Sequence, residues 1–158
     1  DSVTGLYNRM GYQKLSISYF TIMREKKMPV LVMFIDLDRL KYINDTFGHE
    51  YGDFAIVSIA KAMLKHCDAD AIAARTGGDE FIVLECAKDE ESGRVLAQKI
   101  RTELSKTQRA MQLPFDLSAS IGAVVAHPGE ENVLESYVKR AEMLMYEEKA
   151  EKKVSRDS

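Results

Sequence analysis

Hydrophobic and polar positions divide the chain into nine segments. Over residues 9 to about 26, Met10, Tyr12, Leu15, Tyr19, Ile22 and Met23 recur at helical spacing, and Met28-Pro29 ends that run. Val30-Leu31-Val32-Met33-Phe34-Ile35 is unbroken apolar sequence. Its length and β-branching predict a strand covered on both faces. It stops at Asp36-Leu37-Asp38. The stretch DRLKYINDTFGHEYGD reads as a short helix and a glycine-marked turn, and a longer helix follows over about 50–66. Residues 71–76 and 81–86 read as strands around Gly77-Gly78. Residues 90–107 form an amphipathic helix, 117–126 a strand and 133–152 the closing helix. Helices alternate with strands except at one hairpin. That order predicts an α/β (α+β) fold, a ferredoxin-like βαββαβ core with a mixed central sheet flanked by helices.

Composition narrows the class. The 158 residues, 46% hydrophobic and 30% charged, suit one domain with a real core, spanning 1–158. A net charge of −3 argues against an electrostatic grip on nucleic acid or an anionic membrane. There is no apolar run long enough to cross a bilayer, so no membrane contact is expected. Cys67 and Cys86 lack metal-ligand spacing and read as buried thiols in a reducing compartment. The chain begins at Asp1 rather than methionine, which suggests a piece of a longer protein.

Candidate chemistry lies in acidic residues placed where they are costly. Asp36 and Asp38 end a buried strand, where a carboxylate needs a partner or a metal. Ligand sites in such sheets favour strand ends. The plainer reading is that one of them caps the next helix, and Asp38 fits that. A second acidic pair, Asp79-Glu80, follows Gly77-Gly78. The glycines allow the positive φ of a tight hairpin, or the approach of a ligand to the backbone. A plain solvated turn with surface charges is the alternative. If the strands neighbour each other, Asp36 and Asp79 converge, and paired hard carboxylates suit Mg²⁺ and phosphoryl or nucleotidyl transfer. Competing motifs are absent: no GxxxxGK[ST], no GxGxxG after a strand, no zinc spacing among His49, His66 and His127, and no serine in a nucleophile elbow.

Five blocks, in order, resemble the GGDEF family of diguanylate cyclases: DSVTGLYNR, FIDLDRLKYINDTFGHEYGD, ARTGGDEFIVL, Ser120-Ile121-Gly122 and RAEMLMYEEK. The resemblance covers the chain from Asp1 to about Lys153. It implies a palm-like nucleotidyl cyclase that condenses two GTP into cyclic di-GMP and releases pyrophosphate. It further implies a homodimer with one GTP per subunit. Asp36, the Leu37 carbonyl, Asp79 and Glu80 match the positions that hold Mg²⁺ (or Mn²⁺), and Glu80 also matches the group that activates the attacking hydroxyl. Gly77 and Gly78 match the turn where nucleotide meets backbone. Asn44 and Asp53 match the guanine-reading pair, and Lys41 and Lys149 the phosphate contacts. Guanine offers N1–H and N2–H₂ to a carboxylate and adenine lacks that pair, so Asp53 argues for GTP. Without the resemblance, Asn44 reads as a helix-end residue, Asp53 as a helix N-terminal charge, and the lysines as solvated. The resemblance also implies a bacterial cytoplasmic signalling protein with an N-terminal sensory or regulatory domain beyond these residues.

The sequence departs from the family in three places. Asp68 and Ala71 stand where an inhibitory RxxD motif often lies, so a product-binding site there is not expected; an arginine suits phosphate and an aspartate repels it. Leu40 replaces a phenylalanine. Lys153 replaces an arginine that would grip the triphosphate, which keeps the charge and loses the planar fork. A catalytically weak GTP-binding module that signals through partner contacts is the alternative.

Overall fold

The computed structural model describes residues 1–130 and 133–157. Nine elements follow in order: α1 (Arg9–Glu25), β1 (Val30–Leu37), α2 (Leu40–Phe47), α3 (His49–His66), β2 (Ile72–Arg75), β3 (Glu80–Cys86), α4 (Ser92–Ala110), β4 (Ala119–Ala126) and α5 (Leu134–Asp157). The predicted pattern holds, with shifts at the ends. β1 runs two residues past the apolar run because Asp36 still pairs with both β3 and β4, and Leu37 with β4. α4 starts at Ser92 rather than near Glu90, since the Ser92 hydroxyl accepts from the backbone N–H of Lys88 and of Asp89. α5 continues to Asp157.

The sheet order is β2-β3-β1-β4, and all three ladders are antiparallel. This corrects the mixed sheet expected from alternating helices and strands. Each helical crossover joins strands that run parallel to one another, but a third strand lies between them: β3 separates β1 from β2, and β1 separates β3 from β4. Among the described residues, the one parallel pairing outside the ladders is an isolated bridge from Tyr7 to Ala74.

Alternation along β1 sorts the core into two layers. Val30, Val32 and Phe34 face Phe20 and Met23 of α1 and Tyr137, Ala141 and Met145 of α5. Leu31, Met33, Ile35 and Leu37 face Ile43 of α2, Ile59 and Met63 of α3, and Ile100 of α4. β1 is buried along its whole length. Gly48, at φ 100°, separates α2 from α3 in a conformation that disfavours side chains. Gly122 of β4 admits α5 closely: a Cβ there would lie 1.9 Å from the Ala141 carbonyl oxygen.

Candidate active site

Asp36 belongs to the α1/α5 face of β1 and pairs in register with Glu80, the first residue of β3. The Leu37 N–H donates to the Asp79 carbonyl at 2.9 Å, which ties the end of β1 to the turn. Three carboxylates therefore meet at one sheet end: one oxygen each from Asp36, Asp79 and Glu80 lies within 4.8 Å of the others. Asp36 is 5% exposed. Its Oδ2 is 2.9 Å from Lys149 Nζ of α5, while its buried Oδ1 has no hydrogen-bond partner. An orphaned carboxylate oxygen is expensive, and a hard cation with oxygen ligands relieves it. The donor set thus fits a divalent metal. Burial, and then the nearby Asp79, push the Asp36 carboxyl up to about 6 against the pull of Lys149. Glu80 is raised as well, by burial, Asp79 and Glu142. Crowded carboxylates that resist full ionisation are what a bound cation would discharge.

The turn itself differs from expectation. Gly77 and Gly78 do not adopt positive φ; among the described glycines only Gly5 and Gly48 do. The loop closes instead through the Glu80 carbonyl, which accepts from Thr76 N–H at 3.0 Å, and through Arg75. The Arg75 guanidinium donates to the Gly78 carbonyl at 3.2 and 2.9 Å. Arg75 also reaches Asp1 Oδ2 at 3.4 Å, linking the chain's first residues to the turn. Gly78 offers open backbone, since a Cβ there would touch nothing within 4 Å, while a Cβ at Gly77 would press on Glu80 Oε2 at 3.2 Å.

Asp38 is not a helix cap. The position before α2 is held by Arg39, which makes no side-chain capping bond and sits at φ 60°, ψ 36°, a left-handed geometry unusual for a long side chain. That kink turns Asp38 towards β4. Its Oδ1 accepts from Ser120 Oγ and its Oδ2 from Ser118 Oγ, both at 2.7 Å, and Lys152 Nζ donates to Oδ2 at 2.7 Å. Burial presses the Asp38 carboxyl upward, but Lys152, Ser120 and Ser118 together outweigh it and hold it below the ordinary range. Lys152 and Ser118 were not singled out from sequence, and Ser120 was named only as part of a family block, with no role. One signal was available: Lys152 lies three residues from Lys149, on the same helical face.

The proposed guanine readers lie on the adjoining helices α2 and α3. Asn44 is half-buried in the middle of α2, not at its end, and Asp53 is exposed, beyond the first turn of α3. Gly52, just before Asp53, leaves room for the Asn44 amide. Lys149 joins the carboxylate cluster. Lys41 and Lys153 are exposed, and no ion pair among the described residues draws either into it. Cys67 and Cys86 are half-buried and free rather than fully buried. No helix among the described residues is long and apolar enough to cross a membrane.

An antiparallel sheet of split βαβ units, with carboxylates gathered at one end of its central strand, is the architecture of the palm-like cyclases. The chain belongs to the GGDEF domain family of diguanylate cyclases, whose model matches residues 1–155. It is 34% identical over 94% of its length to "Diguanylate cyclase VdcA" of Vibrio cholerae, covering 43% of that protein. It is 28% identical over 95% of its length to "Cyclic di-GMP phosphodiesterase NbdA" of Pseudomonas aeruginosa, covering 19% of it. The chain thus spans less than half the length of these curated relatives. Among solved structures, the GGDEF domain of TpbB (YfiN) from Pseudomonas aeruginosa superposes with a TM-score of 0.80 at 29% identity, over 96% of this chain and 88% of that one.

Proposed function

We propose that this domain condenses two GTP molecules into cyclic di-GMP, releasing pyrophosphate, with two subunits each presenting one GTP to the other. The observation that carries this reading is the cluster of Asp36, Asp79 and Glu80 with an unpartnered buried oxygen, found in a member of this family.

Asp36, Asp79, Glu80 and the Leu37 carbonyl would hold Mg²⁺ (or Mn²⁺). When bound, the metal neutralises charge on the triphosphate and on the phosphoryl group under attack. The remaining roles belong to side chains. Asp53 accepts from guanine N1–H and N2–H₂, and Asn44 fixes the base edge beside it. Lys149 meets the phosphates from α5, and Lys41 and Lys153, both exposed, are free to swing onto them. Gly77 and Gly78 let the nucleotide lie against bare backbone. Glu80 takes the proton from the ribose 3′-hydroxyl.

The test is chromatographic detection of cyclic di-GMP from GTP and Mg²⁺, using protein tethered as a dimer. Product is expected, and Asp79→Ala or Glu80→Ala should each abolish it. Full activity in either variant would overturn the metal assignment. A second reading, a GTP-binding module that signals through partner contacts, draws support from the match to a protein named as a phosphodiesterase. GTP binding without turnover in the tethered dimer would favour it.

A further inference from the structure

α5 carries two lysines three residues apart, and each pairs with one of the two aspartates that flank Leu37. Lys149 Nζ is 2.9 Å from Asp36 and Lys152 Nζ is 2.7 Å from Asp38. Lys152 does more than neutralise a charge. Its ammonium also donates to the Ala119 carbonyl at 2.7 Å and lies 3.5 Å from Glu148 Oε1. Glu148 accepts from the Ile121 N–H at 2.8 Å and from Arg101 at 2.6 Å. Ala119 and Ile121 belong to β4, one of the two edge strands. Helix α5 is therefore fastened to the sheet edge by side chains from residues 148 and 152, and Lys149 lies between them in sequence.

The other end of the link is equally constrained. The Asp38 N–H donates to the Ser118 carbonyl at 2.9 Å, and its carboxylate holds Ser118, Ser120 and Lys152. The Leu37 peptide is thus held from the β3 side through Asp79 and from the β4 side through Asp38. We propose that Lys152 is a positioning residue for the reaction. It locks α5 in the register that aims Lys149 at Asp36, and it fixes Asp38 so that the Leu37 carbonyl is presented beside the carboxylates. The inference rests on the cyclase reading for its consequence, but not for the clamp itself.

Two measurements on Lys152→Ala, Lys152→Arg and the surface control Lys139→Ala separate these levels. The first is residue-resolved amide exchange of the nucleotide-free protein. Lys152→Ala should accelerate exchange at Leu37, Asp38 and Ile121 by at least ten-fold, with Lys152→Arg intermediate and Lys139→Ala unchanged. The second is GTP turnover by the tethered dimer. Lys152→Ala should lower kcat by ten- to a hundred-fold, the scale of a misplaced reacting group. KM should rise by less than kcat falls, the double variant with Lys149→Ala should lose less than the product of the two single losses because part of the effect of Lys152 passes through Lys149, and Lys152→Arg should restore part of the rate. Unchanged exchange in Lys152→Ala overturns the clamp. Accelerated exchange with wild-type kcat overturns its role in positioning. Absent turnover by the wild-type dimer defeats the cyclase reading, while exchange still decides the clamp. If Lys152→Ala fails to fold, Lys152→Met, which keeps the aliphatic stem, takes its place under the same criteria.

Discussion

Gly52 and Glu85 show how single positions set the chemistry and the stability of this domain. A Cβ at Gly52 would lie 1.8 Å from Asn44 Oδ1, so Gly52→Ala must push the Asn44 amide aside. The displaced atom is the end of a flexible side chain, so the fold should survive. The expected result is a rise of about ten-fold in KM for GTP, on the order of one lost hydrogen bond to the base, with little change in melting temperature. Glu85 is a buried carboxylate on β3 whose Oε1 accepts from the Asp68 N–H at 3.0 Å. Burial, together with Asp68 and Asp70, raises its carboxyl despite that bond. The folded state therefore disfavours its charge. Its contribution to stability is present below the ordinary glutamate value and is lost as pH rises through the raised one. Glu85→Gln keeps an acceptor for Asp68 and removes the charge. It should raise the melting temperature at pH 7 and not at about pH 4; equal shifts at both would show that charge is not the reason.

Between elements, the fit of α5 on β4 is the tightest constraint. A Cβ at Gly122 would meet the Ala141 carbonyl oxygen at 1.9 Å and the Met145 backbone nitrogen at 2.5 Å. Backbone cannot step aside as Asn44 can, so Gly122→Ala must lift the helix, at a cost on the order of 3 kcal/mol readable by denaturant unfolding. The elements themselves were legible because each follows from local pattern: the unbroken apolar run of β1, the helical spacing of Tyr137, Ala141 and Met145, the turn at Gly77-Gly78. Convergence of Asp36 with Asp79 was also foreseeable, since each stands at an element's end. What local pattern lacks is information about which strand inserts between two others, and so the sheet's direction was misread. It equally lacks Asp38's partners, which lie 80 to 114 residues away, and the left-handed turn at Arg39 that aims Asp38 at them. The same holds for the turn glycines: a Gly-Gly pair permits positive φ, but Arg75 closes the loop without it.

Across the whole molecule, the proposed metal ligands come from separate stretches, β1 and the turn into β3, and meet only when the sheet is complete. A divalent cation held there would bind the folded chain and not the unfolded one, and linkage requires that it stabilise. With Mg²⁺ or Mn²⁺ at a hundred times its dissociation constant, the gain is about 2.7 kcal/mol, seen as a rise in melting temperature that EDTA reverses. Asp79→Ala should abolish that rise. A metal-independent melting temperature in the wild-type domain would remove the cluster from consideration as a cation site.

The placement of β1 sets a schedule for the chain. β1 is central, yet both strands that flank it come later in sequence, at Glu80–Cys86 and Ala119–Ala126, and the ammonium facing Asp36 comes later still, at Lys149. Pairings this distant are slow to close and leave the apolar strand without neighbours in the interim. During synthesis, the β2–β3 hairpin can form while Val30–Ile35 still waits for its second partner. A ribosome that pauses before residue 149 would hold a domain whose acidic cluster lacks the Lys149 ammonium and whose last helix is not seated. On the cyclase reading proposed above, the site would stay inactive until its last helix arrives.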